Sequence, residues 1–163
     1  MTCVVVYADA SDKDFFDKLC GMVSGRIPHI KMWKGEASPS GEPAEFIITD
    51  HESFGNFDAA PDNVVFIADS QNHERLEYIS GTKLPAITCG LFAKDSITLS
   101  SIESDSAVIN LQRSITCFNG DIAEPQEIPV RFKGPMDSYL LMAAAAIFIL
   151  TGNSDLMHRN YQL

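Results

Sequence analysis

The sequence predicts an α/β protein: a mostly parallel, Rossmann-like sheet with flanking helices, followed by a small antiparallel β meander and a buried C-terminal helix. Three observations carry that expectation. CVVVYA (3–8) and VVFIA (64–68) are continuous apolar runs, as strands covered on both faces require. Helical patterns alternate with such runs through the first half of the chain, which is the order of a parallel sheet. After residue 95 the apolar period falls to near two, and the chain then ends in an apolar run without a polar face.

Taken in order, residues 3–8 read as the first buried strand. Residues 11–23 read as a helix: Ser11 can cap it, acidic residues occupy its first turn, and Phe15, Phe16, Leu19, Cys20 and Val23 share one face. A short strand is expected at 30–33, then a polar loop, GEASPSGEPA, at 35–44. Further strands are expected at 45–49 and 64–68, with turn-rich HESFGNFDAAPDN between them. Residues 72–80 read as a helix that Gly81 can end, and 84–89 as another apolar strand closed by Gly90.

Four runs with period two follow, SITLSSI, SAVINLQ, RSITCF and EIPVRF, and read as one meander with one apolar face. Ser138–Leu150 reads as a helix capped by Asp137 or Ser138, preceded by Pro135 and stopped by Gly152. Being apolar all round, it should be sandwiched rather than lie on the surface. The expected organisation is a single α/β domain over 1–152, with a parallel part (1–95), an antiparallel part (96–134) and a packing helix (135–152). The tail at 153–163 is expected as a solvated end or a docking segment.

Composition narrows the function. The chain has 163 residues, 22 acidic and 12 basic side chains, and a net charge of −10. With 45% hydrophobic and 21% charged residues it is globular in composition and long enough to bury a core without disulfides. The acidic balance argues against a nucleic-acid or anionic-membrane binder, whose surfaces need a basic field. The longest apolar run, 139–150, is about half a membrane span. Cys3, Cys20, Cys89 and Cys117 are far apart, form no C-x-x-C, and mostly sit in apolar runs where a reduced thiol packs as a small hydrophobe. No basic segment precedes the first apolar run, so the sequence carries no signal-peptide pattern. The default setting is cytoplasmic and reducing.

Three strands run into an aspartate: Asp9, Asp50 and Asp69. Ligands of open parallel sheets bind at the carboxyl ends of strands, so three carboxylates there could hold a hard cation such as Mg²⁺. The competing reading is that each aspartate opens a turn or caps a helix. His51 and His73 also lie just past strand ends, and the Asp50 and Glu52 neighbours should favour a protonated His51. Together with Lys13, these residues make up the candidate pocket. The first strand-to-helix turn, ADASDKD, has no glycine and surrounds Lys13 with Asp9, Asp12 and Asp14, which would repel a phosphate. No intact P-loop, G-x-S-x-G, C-x-x-C or H-E-x-x-H occurs, and no catalytic residue is assigned.

The stretch LPAITCGLFAKDSITLSSI carries Thr88, Gly90 and Asp95 in a strand, turn and β-rich order, and IPVRFKGPMDSYLLMAAAAIFIL carries Gly134 followed by Ala143–Ala146. Upstream, AEFIITDHESFGNF holds Glu52, Ser53, Gly55 and Phe57, and VFIADSQNH ends in Asn72-His73. In this shared order the chain resembles the ATP-binding central domain of the Mur ligase family, enzymes that add amino acids to peptidoglycan precursors. The resemblance covers residues 3–23, 44–73 and 84–152. It fails where the family binds ATP. ADASDKD replaces the glycine-rich Gly-Lys-Thr/Ser loop, leaving Lys13 as a displaced remnant. The family's acidic metal ligand falls on Thr49, its Thr-Asn pair on Ile67-Ala68, and its adenine-side Asn near Leu140.

The resemblance therefore implies a shortened relative with a degenerate P-loop that has lost ATP-dependent ligation. Such a chain would be a non-catalytic module binding a protein partner or a small ligand, in a cell-wall setting and without a cofactor. The alternative is a Mg²⁺-dependent enzyme of phosphoryl transfer or hydrolysis using Asp9, Asp50 and Asp69. A homo-oligomer packed through the apolar helix or the meander edges is a third reading.

Overall fold

The computed structural model describes residues 3–8, 13–34, 44–49, 64–158 and 161–162. The chain begins with β1 (Cys3–Ala8), α1 (Lys13–Val23), β2 (Ile30–Lys34), β3 (Ala44–Thr49), β4 (Val64–Asp69), α2 (His73–Thr82) and β5 (Ala86–Cys89). It continues with β6 (Ile97–Ile102), β7 (Ser106–Leu111), β8 (Ile115–Thr116), β9 (Ile122–Ala123), β10 (Gln126–Lys133) and α3 (Ser138–Leu150). A short 3-10 helix (Ser154–His158) and β11 (Tyr161–Gln162) follow. The protein is α/β. Among the described residues its main sheet has nine strands in the order β11-β10-β7-β6-β5-β4-β3-β1-β2, and β8 and β9 form a separate two-stranded sheet.

β2, β1, β3, β4, β5 and β6 are mutually parallel. β7 runs antiparallel to both β6 and β10. The parallel and antiparallel parts therefore share one sheet, joined where Cys89 pairs with Ile97. A bulge between Leu99 and Ser101 lets β6 bend before it reaches the turn into β7.

Two details depart from the sequence reading. RSITCF does not join the meander. Its Ile115–Thr116 pair with Ile122–Ala123, while EIPVRF returns to β7 with Ile128 opposite Ile109. The diverted hairpin is held instead on the end of α3, where the Phe118 N–H donates to the Leu150 carbonyl at 2.8 Å. Gly81 does not end α2 but lies inside it. The helix stops at Lys83, which takes the left-handed conformation (φ 61°). The Thr82 hydroxyl there donates to the Ile79 carbonyl (2.7 Å) and accepts from the Leu84 N–H (3.3 Å), so the chain end is satisfied without a glycine.

The main core lies on one face of the sheet. Ile47, Ile67, Ile87, Cys89, Ile97, Ile109 and Ile128 from six adjacent strands pack with α1 and α3. Every residue of α3 from Leu140 to Leu150 is buried. The helix is sandwiched between the sheet and α1, as its lack of a polar face requires. Ala143–Ala146 supply the small side chains that close approach needs. Phe15 of α1 stacks on Tyr139 of α3 at 5.8 Å between ring centroids, and the Tyr139 hydroxyl donates to the Ile67 carbonyl. Asp137 caps α3 by accepting from the Leu140 N–H at 2.8 Å.

Residues of opposite parity on β4, namely Val64, Phe66 and Ala68, are buried outside that cluster, as is Ile79 of α2. They form a smaller core on the other face. The chain topology gives the same result. The β1-to-β2 and β4-to-β5 crossovers move in opposite directions along the sheet, so right-handed connections place α1 and α2 on opposite faces. The tail docks rather than floats: Met157 in the 3-10 helix is fully buried, and β11 pairs with β10. Among the described residues, no helix is long and apolar enough to cross a membrane.

Candidate functional site

Parallel strands end on a common edge, and β4, β3 and β1 are immediate neighbours. The last described residues of these strands, Ala8, Thr49 and Asp69, thus lie on one edge of the sheet. Asp9, Asp50 and His51 lie outside the described residues. The remaining candidates are placed. Asp69 closes β4 and is half-buried, and its Oδ1 accepts the N–H of Gln71 at 2.9 Å, which turns the chain toward α2. His73 opens α2 and is exposed, and Lys13 opens α1 and is exposed. Since α1 and α2 lie on opposite faces, Lys13 and His73 flank the edge from two sides. Asn72 caps α2 by accepting from the Arg75 N–H at 3.1 Å, so it serves the backbone.

Beside this edge the structure holds an arrangement that sequence reasoning missed. The buried Ser70 hydroxyl donates to Oδ2 of the buried Asp95 at 3.0 Å. The same oxygen accepts the Phe92 N–H at 2.9 Å, and the Ser70 N–H donates to the Cys89 carbonyl at 2.9 Å. Gly90 sits between them. A Cβ there would lie 2.0 Å from Ser70 Oγ and 2.5 Å from Asp95 Oδ2, so only glycine fits. The Ser96 N–H donates to both the carbonyl (3.0 Å) and the hydroxyl (3.2 Å) of Thr88, closing the loop's other side. Resemblance had singled out Thr88, Gly90 and Asp95. Ser70, 25 residues before Asp95, gave no signal because nothing local in the sequence pairs them.

Chemically this cluster is a latch. The Ser70 hydroxyl is spent on Asp95 and is shielded from solvent, so it is no nucleophile. Cys89 is no better suited. Burial pushes its thiol far above the ordinary range, and the Asp95 and Asp69 carboxylates push it further. The latch instead fixes the loop above it. Leu91 and Phe92 are exposed at the tip, 62% and 50% respectively. The Lys94 ammonium stands 5.8 Å from the Phe92 ring centroid. Gln112 Nε2 donates to the Phe92 carbonyl at 3.4 Å.

The edge therefore presents Gln71, His73, Leu91, Phe92 and Lys94 on backbone that is well tied down. That set can contact a ligand by stacking, hydrogen bonding and charge. Among the described residues, no group of three or more His, Cys, Asp or Glu side chains is placed to hold a metal ion. No protein-family model matches the chain, and no curated protein matches it significantly.

Proposed function

We propose that the chain is a non-catalytic, Mur-ligase-like module of Rossmann-like build that binds a small ligand or a protein partner at the carboxyl edge of its parallel strands. The observation that carries the reading is the strand order β2-β1-β3-β4-β5. The chain moves outward from β1 in both directions, which opens a crevice at the β1/β3 strand ends where ligands of open α/β sheets bind. The latched turn built from Thr88, Gly90 and Asp95, followed by β strands and the buried alanine-rich α3, supports the Mur-like element order. ADASDKD, with three carboxylates around Lys13, speaks against retained ATP chemistry.

Calorimetric titration with Mg²⁺–ATP tests the loss of nucleotide binding. The expected heat is no greater than dilution, and saturable binding or ATP-dependent amide formation by the purified chain overturns the reading. Amide NMR during titration with a muramyl peptide tests the location: shifts centred on 69–73 and 90–95 support it, and shifts centred elsewhere oppose it. The second reading is a Mg²⁺-dependent acidic pocket at Asp9, Asp50 and Asp69, with phosphoryl transfer or hydrolysis as its chemistry. The adjacency of β1, β3 and β4 favours it. Carboxylate signals of all three residues that stay unmoved at millimolar Mg²⁺ would remove it.

A further inference from the structure

We propose that Asn119 is a self-modification site, converted through a succinimide to aspartate and isoaspartate, and that opening of the β8–β9 hairpin controls its rate. The reaction needs only water. The Gly120 nitrogen loses its proton and bonds to Asn119 Cγ, and the Cγ–Nδ2 bond breaks to release ammonia. Water then opens the imide. Breaking its bond to Cγ gives aspartate, and breaking its bond to the α-carbonyl gives isoaspartate, with the main chain rerouted through Cγ. Glycine after asparagine leaves this attack sterically open, and Asn119, Gly120 and Asp121 are all exposed to water.

In the closed hairpin both reacting groups are held back. The Gly120 N–H donates to the Cys117 carbonyl at 2.9 Å, and Gly120 sits at φ +88°. The Asn119 carboxamide is tied at both ends: Oδ1 accepts the Asp121 N–H at 3.0 Å, and Nδ2 donates to Asp121 Oδ2 at 2.7 Å. The same Nδ2 lies 3.1 Å from where a Cβ on Gly152 would stand, just past the end of α3. Succinimide formation requires the carboxamide and the Gly120 amide to let go together, so the turn must open first.

The product cannot restore these contacts. A carboxylate at position 119 would face the Asp121 carboxylate in place of the amide donor, and isoaspartate would add a methylene to the turn. Either change loosens the hairpin that the Phe118 N–H pins to Leu150 at the end of α3. The modification thus records how often this hairpin has opened.

The test is peptide mapping of the full chain over time at neutral pH, native and in guanidinium. Asn119 should convert in the unfolded chain and at least about tenfold more slowly in the native one, in step with the hydrogen-exchange protection of the Gly120 amide. The Asp121→Ala variant, its fold checked by circular dichroism, should convert faster than wild type in the native state. Equal native and unfolded rates overturn the gate. No conversion in the unfolded chain overturns the site, and an unchanged native rate in Asp121→Ala overturns the carboxamide restraint.

Discussion

Ser70 and Asp95, 25 residues apart in the chain, meet through a buried hydroxyl-to-carboxylate hydrogen bond of 3.0 Å. The bond ties the end of β4 to the loop before β6, across the strand between them. Gly90 is the spacer that allows it, since a Cβ there would collide with both partners. Gly90→Ala should destabilise the protein by about 2 kcal/mol or more, because both neighbours are held by the bond they share. Gly81→Ala is the matched control. It lies in α2 with nothing within 4 Å of the added Cβ, and should stabilise by roughly 0.5–1 kcal/mol. Urea midpoints for the two variants that move in the same direction would refute the close-approach argument.

Asp95 accepts from both Ser70 Oγ and the Phe92 N–H. Removing the carboxylate leaves the buried Ser70 hydroxyl and the part-buried Phe92 N–H without this acceptor, so Asp95→Ala should cost about 2–3 kcal/mol. Asp95→Asn keeps one carbonyl oxygen and should cost less. The Phe92 amide should also exchange with solvent faster in Asp95→Ala. If its protection is unchanged, the carboxylate does not hold the loop tip.

Much of this arrangement could be read from the sequence, and the limits have physical causes. A continuous apolar run identified β4 because burial on both faces removes the alternation that polar exposure would impose, and a like run marked β1 as a strand. The fate of α3 was legible for the same reason, since a helix without a polar face has no stable place on a surface. Pairing was less visible. Period-two patterning shows which side of a strand is apolar, not which strand lies beside it. Ile115–Thr116 therefore looked like a meander strand although it leaves the sheet to cap α3. At the candidate site, the positions of Asp69 and His73 at a strand end were readable from order alone. The Ser70–Asp95 pair was not, because it forms only after β4, β5 and β6 have aligned.

The Cys89 thiol carries a pH signature. Burial and the nearby Asp95 and Asp69 carboxylates raise its pKa above the ordinary thiol value of 9.0. The native state then keeps a proton that the unfolded chain releases. This contribution to stability is complete below pH 9 and is lost as pH rises beyond it, at about 1.4 kcal/mol per pH unit for this one group. Cys89→Ala should be less stable at neutral pH but should lose stability less steeply above pH 9. Cys117 shifts in the same direction and is present in both proteins, so the difference in slope isolates Cys89. Parallel stability curves for variant and wild type would contradict the assignment.

Met157 is fully buried in a five-residue 3-10 helix that packs on both β10 and α3. A helix this short has little stability of its own, so its place depends on the burial of this side chain. The register of β11 depends on it in turn, with Tyr161 paired to Phe132 just beyond. Met157→Ala should destabilise by about 2–4 kcal/mol through the transfer and cavity terms. Surface substitution at the exposed Asp155 in the same helix should change stability by less than about 0.5 kcal/mol. Limited proteolysis separates docking from simple core loss. In Met157→Ala, cleavage after residue 153 should accelerate while the β4–β7 region stays protected. Uniform acceleration across the chain would mean that the segment unfolds only with the whole domain.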